Sequence, residues 1–494
     1  MRLDRTTAVP PRQHSCQLSP IGSRFDSAMT TDLADLAVLR AQVAGPVVTP
    51  SDEGYAEETS TWNLGFSQTP AVAVGATSAE DVVAAVRFAG AHGLPVAVLA
   101  TGHGPLTAAD GAMLINVRRL DSVAIDHSAG TATVGGATEW QTVTDAAAKA
   151  GLAPVSGSSP NVGVVGYTLG GGLSPVLGRR YGWASDHVLS MDIVTPDGEL
   201  RVVTAESEPD LFWAVRGGKS NFGVVVSMTF TLVPVTRFFG GGIYVDAEHA
   251  PAVLTEFRRL AELDDDKLTV SFAMLRMPPL PFVPEPLRGR VSLHVRFSYL
   301  GEATAGAELI APMRSLAPAL IDTVGEMPYA SYTSVHNDPV DPVATYDRSQ
   351  LLSGFPADAA AALIEAAGAG ADTSVLLVEV RQLGGALARE APSPSAVSHR
   401  DAPFSLMVGT AGAPGQAAAV AADLDRIMEA MEPWHHTGTM LNFLSYADAD
   451  PERVASAYSK DAYERLLALK RVYDPTGLFR LNHSLTGTIT KTTS

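Results

Sequence analysis

The segment Gly166-Tyr-Thr-Leu-Gly-Gly-Gly172 constrains this chain most, because it places four glycines within seven residues. Glycine allows the backbone to approach a ligand closely and to adopt positive φ, and successive N–H groups can form a nest for an anion. No Gly-Lys-Ser/Thr follows, and the segment does not link a strand to a helix within a βαβ unit, so it is neither a P-loop nor a dinucleotide fingerprint. A flexible surface loop is the alternative interpretation.

Two further glycine-bearing loops lie on either side of this segment. Thr101-Gly-His-Gly104 directly follows the apolar run Pro95 to Leu99, and Gly217-Gly-Lys-Ser-Asn-Phe-Gly223 precedes another strand pattern. A histidine between glycines after a buried strand fits a ligand site as well as a structural role. Three such loops close together in the sequence predict a large phosphorylated cofactor that lies along the backbone.

The hydrophobic periodicity predicts an α+β chain. Ser78-Ala-Glu-Asp81 is a capping box that begins a helix ending at Gly93. Pro196-Asp-Gly198 predicts a hairpin between strands, and residues 156–172 are predicted as one long loop. Beyond Pro234, Ala-rich helical patterns alternate with strand patterns, which predicts a second region built as a sheet covered by helices.

Charge and cysteine content exclude several classes of protein. The 35 basic and 53 acidic residues give a formal charge of −18, which disfavours binding to nucleic acid. The single cysteine, Cys16, excludes an intrachain disulfide, a multi-cysteine zinc site and an iron–sulfur cluster, and no metal site is predicted. No apolar run reaches about 18 residues and no secretory signal pattern is present, so we expect a cytoplasmic protein without membrane contact.

The order of the motifs resembles the flavoproteins of the p-cresol methylhydroxylase (PCMH) and vanillyl-alcohol oxidase fold, and more specifically the berberine bridge enzyme-like oxidases. The resemblance covers roughly residues 65 to 485. The motifs that carry it, in chain order, are Thr77-Ser-Ala-Glu-Asp-Val82, Thr101-Gly-His103, Pro160-Asn-Val-Gly-Val-Val-Gly166 with Gly170-Gly-Gly172, Arg179-Arg-Tyr-Gly182, Asp210-Leu-Phe-Trp-Ala-Val-Arg-Gly217, Asn221-Phe-Gly-Val-Val225, and Tyr473-Asp-Pro-Thr-Gly-Leu-Phe479 with Asn482.

This resemblance implies an α+β, two-domain PCMH-type fold that binds FAD. Residues 1–28 would be a disordered leader, or sequence upstream of a start at Met29, and residues 29–66 an N-terminal helix and lead-in. Residues 67–238 would form the FAD-binding domain and residues 239–435 the substrate domain, an antiparallel sheet covered by helices. Residues 436–494 would return to the FAD-binding domain.

The resemblance also implies which residues hold the cofactor. His103 is expected to bond covalently to the flavin 8α-methyl group. The other FAD-binding residues implied are Thr101, Gly102, Gly104, Ser159, Val162, Gly163, Gly166, Thr168, Gly170, Gly171, Gly172, Gly223, Val224, Asn442 and Asn482.

Two positions depart from the family pattern. Many relatives carry a second covalent bond from a cysteine, and here the corresponding residue is Ser159, which implies a single histidyl link. Relatives also often use a tyrosine two residues before Asn442 as the base, and here that position is Met440, which cannot accept a proton.

The catalytic base is therefore left open among several residues. Glu379, which alternates with Arg381 along a predicted strand, and Tyr446 are the candidates. Tyr458 and Tyr463 are further phenols near the C-terminus. A surface ion pair is the alternative interpretation of Glu379 and Arg381.

The resemblance implies an FAD-dependent oxidase acting on a sugar or a secondary metabolite. A hydride would pass from a C–H next to a hydroxyl or amine to flavin N5, and O2 would reoxidise the flavin to give H2O2. Val162 occupies the position that controls oxygen access in the family. The alternatives are a dehydrogenase of the same fold that uses another electron acceptor and a binding protein without catalysis.

Overall fold

The computed structural model describes residues 33–104, 108–481 and 483–485, apart from the side chains of residues 33, 34 and 446. The predicted leader, residues 1–28, lies outside the described residues. The strands are β1 (Val47–Val48), β2 (Val72–Gly75), β3 (Val96–Leu99), β4 (Met113–Asn116), β5 (Val123–Asp126), β6 (Thr131–Gly135), β7 (Val188–Val194), β8 (Leu200–Thr204), β9 (Val224–Thr231), β10 (Arg237–Asp246), β11 (Leu268–Arg276), β12 (Val291–Tyr299), β13 (Ile321–Asp322), β14 (Gly325–Pro328), β15 (Ala344–Leu352), β16 (Leu377–Gln382) and β17 (Phe404–Gly412).

The α-helices alternate with these strands through most of the chain. They are α1 (Leu33–Gln42), α2 (Tyr55–Thr59), α3 (Ala79–His92), α4 (Trp140–Ala148), α5 (Val164–Thr168), α6 (Gly178–Tyr181), α7 (Pro209–Gly218), α8 (Ala250–Ala261), α9 (Ala303–Leu316), α10 (Ala357–Ala367), α11 (Ala417–Ala430), α12 (Pro451–Ala455) and α13 (Lys460–Tyr473). None of the helices in the described part of the chain is long and apolar enough to cross a membrane.

The strands form three sheets. A four-stranded sheet has the order β1-β2-β4-β3, with β2 and β3 parallel to β4. A five-stranded antiparallel sheet has the order β5-β6-β9-β7-β8. The third sheet has eight strands, runs in the order β13-β10-β12-β11-β16-β17-β15 with β14 beside β10, and is antiparallel. The predicted α+β class is therefore confirmed.

Local signals in the sequence place α3 and the β7–β8 hairpin where they were predicted. Ser78 accepts a hydrogen bond from the Asp81 N–H at 3.3 Å, and Gly93 ends α3 in the left-handed conformation at φ 65°. The Gly198 N–H closes the hairpin turn onto the Thr195 carbonyl at 2.8 Å. Helix α3 buries Val82, Val86 and Ala89 against the four-stranded sheet.

The eight-stranded sheet packs one face against helices α8 to α11, which confirms the predicted sheet covered by helices. Val270 and Phe272 of β11 and Val380 of β16 meet Phe257 of α8 and Leu363 of α10 in one apolar cluster. The polar residues that alternate with these strand residues lie on the opposite face.

The long loop predicted over residues 156–172 is interrupted by a helix. Its first part is irregular, but Val164 to Thr168 form α5, because Val164, Val165 and Leu169 pack into the apolar cluster around Trp140. Tertiary packing therefore gives a helix to a stretch in which small residues favoured a loop. The chain after α13 contacts the first sheet, since Leu478 and Phe479 lie in its core. The predicted domain limits stay a prediction.

Candidate active site

The loop Thr101 to Gly104 leaves the end of β3 and holds His103 half-buried. Gly102 has φ +76°, and a Cβ there would lie 2.8 Å from the Thr61 Cα, so only glycine fits. The imidazole of His103 stacks on the Trp62 indole with 4.1 Å between ring centroids and 16° between planes. Its Nε2 is buried without a hydrogen-bond partner among the described residues.

His103 is a neutral imidazole at neutral pH. Burial lowers the pKa of His103 to about 4, although hydrogen bonding to Asn161 acts in the opposite direction. Ser159 belongs to the same local network, because its hydroxyl donates to Asn161 Oδ1 at 2.9 Å. A neutral ring keeps a lone pair on one nitrogen, which a cation would lack.

The glycine-dense segment leaves no space for side chains at its C-terminal end. A Cβ on Gly170 would lie 1.8 Å from Asn442 Oδ1, and one on Gly172 would lie 2.7 Å from the Tyr167 ring. Gly171 and Gly172 also have φ of +104° and +80°. The N–H groups of Gly170 and Gly171 bond to the carbonyls of Tyr167 and Thr168, so these two do not form the expected anion nest.

Lys219 and Asn442 border the same segment. Asn442 Nδ2 donates to the Tyr167 carbonyl at 2.8 Å. The Lys219 Cε would lie 2.8 Å from a Cβ on Gly170. Burial lowers the pKa of Lys219 to about 8, and Lys219 has no ion-pair partner within the ranges that the structure describes. An amine in such a place favours a nearby anion.

The other predicted FAD-binding residues fall into two groups. A Cβ on Gly163 would lie 3.6 Å from the Thr101 side chain, Thr168 is buried, and Val162 packs half-exposed against the core around Trp140. By contrast, Gly104 and Gly166 are exposed.

Gly223 and Val224 lie at the start of β9, inside the packing of the strands. A Cβ on Gly223 would lie 2.3 Å from the Val194 carbonyl oxygen, and Val224 is fully buried in the apolar core with Val194. Asn482 and the side chain of Tyr446 lie outside the described residues.

A second group of polar residues lies on the eight-stranded sheet, on the face opposite the helices. In the register of the strands, Glu379 is opposite Ala273, which is opposite His294. One step along, Arg381 is opposite Ser271, which is opposite Arg296. Because β11 offers only the small side chains of Ser271 and Ala273 at these positions, the long side chains of the flanking strands meet over it.

Glu379 is the centre of this charged cluster, with 1% of its surface exposed. It forms an ion pair with Arg296 and a second one with Arg381, whose Nη2 lies 2.9 Å from Oε2. His336 Nε2 lies 3.6 Å from Glu379 Oε1. The interpretation of Glu379 and Arg381 as a surface pair is therefore wrong, because the fold buries both residues beneath other elements.

The electrostatics of the cluster leave Glu379 ionised. Burial raises the pKa of Glu379, but the Arg381 and Arg296 guanidiniums outweigh this and hold that pKa well below its usual range. Burial lowers the pKa of His336 to about 4 and that of His294 well below its usual range. Two guanidiniums thus face one carboxylate and two neutral imidazoles, and Asp338 acts on Arg381 as a further negative charge.

Met440, which replaces the usual tyrosine, packs in an apolar cluster with Trp183, Leu351 and Leu383. A cavity beside it is lined by Gly170, Val397 and Tyr458 among others. The Tyr458 hydroxyl donates to the Gly217 carbonyl at 2.9 Å, which gives this phenol a structural partner. The buried Tyr167 hydroxyl has no hydrogen-bond partner in the described part of the chain.

Trp62, Arg296 and His336 lie outside the sequence motifs described above. Arg296 had a usable signal, because His294 and Arg296 alternate in β12 as Glu379 and Arg381 alternate in β16. Trp62 lies in an irregular segment, and His336 directly follows a 3₁₀ helix. Both are distant in sequence from the residues they contact, so no local pattern points to them.

Comparison with known proteins identifies the class. Residues 70–204 match the family described as FAD binding domain, and residues 442–486 match the family described as berberine and berberine like. The (R)-6-hydroxynicotine oxidase of Paenarthrobacter nicotinovorans is 29% identical over 458 residues, which cover 90% of this chain and 97% of that protein.

Solved structures show the same fold. The crystal structure of 6-hydroxy-D-nicotine oxidase from Arthrobacter nicotinovorans superposes with a TM-score of 0.77 and 26% identity over 90% of this chain and 98% of that chain. The xylooligosaccharide oxidase from Myceliophthora thermophila C1, solved with xylobiose, gives a TM-score of 0.78 at 22% identity over 92% and 99% of the two chains.

The fold and these matches define a flavin-dependent oxidoreductase with a PCMH-type fold. Within that class the chain carries an FAD binding domain and a berberine-like domain, and it is similar to FAD-linked oxidoreductases. The residues present fit an FAD on two observations. His103 Nε2 is buried without a partner among the described residues, and the closely packed glycine segment lies beside Lys219, a cation without an ion pair among those residues.

Proposed function

We propose that this protein is an oxidase that holds FAD through one covalent bond to His103 and oxidises a small molecule at a C–H next to a hydroxyl or amine. When bound, FAD takes a hydride from that carbon and passes the two electrons to O2, which gives H2O2. The observation that carries the proposal is the buried Nε2 of His103, for which no described residue is a hydrogen-bond partner.

His103 provides the attachment atom. Its ring is neutral at physiological pH, because burial lowers its pKa to about 4, so a nitrogen lone pair is available for bonding. Ser159 has no thiol and already donates its hydroxyl hydrogen to Asn161, which supports a single link. The residues that would hold the rest of the FAD are Gly170 and Gly172 of the glycine-dense segment, with Lys219 and Asn442 beside it.

Glu379 is better suited to hold Arg381 than to serve as the base. A carboxylate whose pKa is kept well below its usual range by two guanidiniums accepts a proton poorly at neutral pH. Arg381 is fixed by this pair and lies 5.4 Å from the Phe443 ring, on the face away from the helices. We propose that Arg381 orients the substrate by hydrogen bonding or charge, with Glu379 as the residue that positions it.

The remaining roles are proposed from the chemistry of the side chains and from the family resemblance. Tyr446 stays the candidate base among the residues named from the sequence. Tyr167 holds its proton, since burial raises its pKa well above the usual range, and it can therefore donate a hydrogen bond from its hydroxyl. Val162 is proposed to control the access of O2.

The cofactor proposal is tested by precipitating the purified protein with acid and measuring flavin absorbance in pellet and supernatant. We expect the flavin to stay with the pellet in the wild type and to be released in His103→Ala. His92→Ala is the matched control, because His92 also stacks on an aromatic ring, at 4.0 Å from Phe88, but on α3. Wild-type flavin that moves to the supernatant would contradict the covalent bond.

The reaction is tested by oxygen uptake with a panel of compounds. The panel includes 6-hydroxynicotine and xylooligosaccharides, after the names of similar proteins, and other amines and alcohols. We expect one class to give O2 consumption with one H2O2 per O2. Reduction of an artificial acceptor without O2 uptake would instead indicate a dehydrogenase.

A further inference from the structure

Residues 61–65, here called the strap, run between the His103 loop and the eight-stranded sheet. On one side the N–H groups of Trp62 and Asn63 donate to the carbonyls of Thr101 and Gly102 at 3.1 and 3.0 Å. On the other side the Leu64 N–H donates to the Val343 carbonyl at 3.1 Å, and the Val343 N–H donates to the Trp62 carbonyl at 3.2 Å. The strap therefore joins the two parts of the site by backbone hydrogen bonds.

The Asn63 side chain fastens the strap to β15. It is 3% exposed, and its Nδ2 donates to the carbonyl and the hydroxyl of Thr345 at 3.1 and 2.8 Å. Its Oδ1 accepts from the N–H groups of Thr345 and Gly65 at 3.0 and 2.9 Å. The amide thus uses both hydrogens and both lone pairs, which leaves the strap little freedom.

Trp62 is held at its ring edge as well as its backbone. The indole Nε1 donates to the Val340 carbonyl at 3.0 Å, and Asn161 Nδ2 donates to the same carbonyl at 2.6 Å. With the indole fixed at both ends, its stack covers one face of the His103 imidazole and sets the plane of that ring. The direction of the Nε2 lone pair, which lies in the ring plane, is set with it.

We propose that Trp62 is a positioning residue for the covalent attachment of FAD. This inference rests on the proposed bond to His103. Bond formation joins the imidazole nitrogen to the flavin 8α carbon, and one C–H and one N–H hydrogen are lost. The two protons and two electrons released pass to O2, which becomes H2O2. An imidazole with a fixed plane reaches the geometry of attack more often than one that rotates about its side-chain bonds.

A second stacked pair in the chain supplies the matched control. Phe88 and His92 on α3 stack with 4.0 Å between centroids and 22° between planes, much like Trp62 and His103. His92 bonds instead to the Phe88 carbonyl and to Asp35. Removing either aromatic ring thus removes a similar contact, and only one of the two contacts lies beside the proposed attachment atom.

The experiment compares Trp62→Ala, Trp62→Phe and Phe88→Ala with the wild type. The fraction of protein that carries FAD covalently is measured by intact-protein mass spectrometry at fixed times after induction. We expect Trp62→Ala to slow attachment at least tenfold and Phe88→Ala to match the wild type. Trp62→Phe should recover most of the rate, because a phenyl ring still stacks although it cannot donate to Val340.

The outcomes separate this inference from the proposal on which it rests. A wild type without covalent FAD contradicts the proposed bond itself. The inference alone is overturned if the wild type carries FAD covalently and Trp62→Ala attaches it at the same rate. It is also overturned if Trp62→Phe attaches FAD as slowly as Trp62→Ala. Where Trp62→Ala fails to fold, Trp62→Leu replaces it, because leucine fills space without stacking; unchanged attachment in that variant also overturns the inference.

Discussion

The two faces of the eight-stranded sheet are both buried, yet they are built from opposite chemistry. On the helix side, Val380 of β16 and Leu406 of β17 are fully buried among apolar side chains. On the other side, Glu379 and Arg381 alternate with them and are nearly as buried. Apolar burial stabilises by about 25 cal/mol per Å². Buried ion pairs contribute little or cost stability.

The difference teaches where to look for function in such a sheet. A charged face that is kept out of water is not explained by stability, since an apolar face of similar volume would serve at least as well. Clusters of this kind occur at functional sites more often than elsewhere. Four variants or conditions test the contrast between the two faces, from the largest expected effect to the smallest.

Glu379→Gln should give the largest loss of stability. It removes the only carboxylate that pairs directly with Arg296 and Arg381 among the described residues, and it leaves two guanidiniums buried without their counter-charge. We expect the free energy of unfolding to fall by about 3–5 kcal/mol in equilibrium denaturation. The control is Glu326→Gln on β14, whose pair with Arg237 is half-exposed and should contribute less than about 1 kcal/mol. Equal effects of the two variants would contradict the contrast.

Leu406→Ala tests the apolar face. The leucine is fully buried, so the change leaves a cavity beneath the helices and should cost about 2–5 kcal/mol in the same measurement. The flavin content and the kcat of the folded variant should stay at wild-type values, because the side chain points away from the charged face. A change in flavin content at full folding would show that the two faces do not act separately.

Lowering the pH should reduce the free energy of unfolding through the charged face, where His336 lies beside Glu379, because the apolar side chains of the other face do not titrate. The pKa of His336 is lowered by burial to about 4, so between pH 6.5 and 4 the unfolded chain binds a proton that the folded chain does not. The free energy of unfolding should therefore fall as pH decreases through this window, by on the order of 3 kcal/mol from His336.

The pH prediction is checked by denaturation at several pH values. His336→Gln should make the dependence on pH less steep by the contribution of this one residue, and His127→Gln, at an exposed position, should leave it unchanged. A profile that is the same in the wild type and in His336→Gln would show that His336 does not remain neutral in the folded protein.

Ser349→Ala should have the smallest effect. Ser349 lies on the charged face of β15 and its hydroxyl donates to the Phe443 carbonyl at 2.7 Å, which ties the C-terminal segment to the sheet. Loss of one such hydrogen bond should cost about 1 kcal/mol, read from the denaturation midpoint. A loss above about 3 kcal/mol would indicate that the contact organises the whole C-terminal segment.

Much of the region that contains α3 and the glycine loops could be predicted from the sequence, because its signals are local. Ser78 and Gly93 bound α3 through caps that depend on residues within four positions, and Gly102 and Gly172 adopt the positive φ that their residue type permits. The order of such motifs was sufficient to predict FAD and the fold. The helix α5 was missed because packing against Trp140, distant in sequence, decides it.

The charged face was only partly predictable. The alternation of Glu379 and Arg381 showed that they share a face, but not whether water reaches it. Their burial depends on what covers the sheet, and their partners Arg296 and His336 lie 83 and 43 residues earlier than Glu379. Strand register brings Arg296 to Glu379, and register is not visible in either strand alone.

By itself the sequence determined the glycine positions, the absence of a second cysteine and the single histidine in the first glycine loop, because these are properties of residue type. Only the tertiary structure decided that Trp62 stacks on His103, that Lys219 has no acidic partner among the described residues and that Glu379 is held between two arginines. The reason is physical. Conformational freedom belongs to a residue, whereas burial and charge pairing belong to the groups that the fold brings around it.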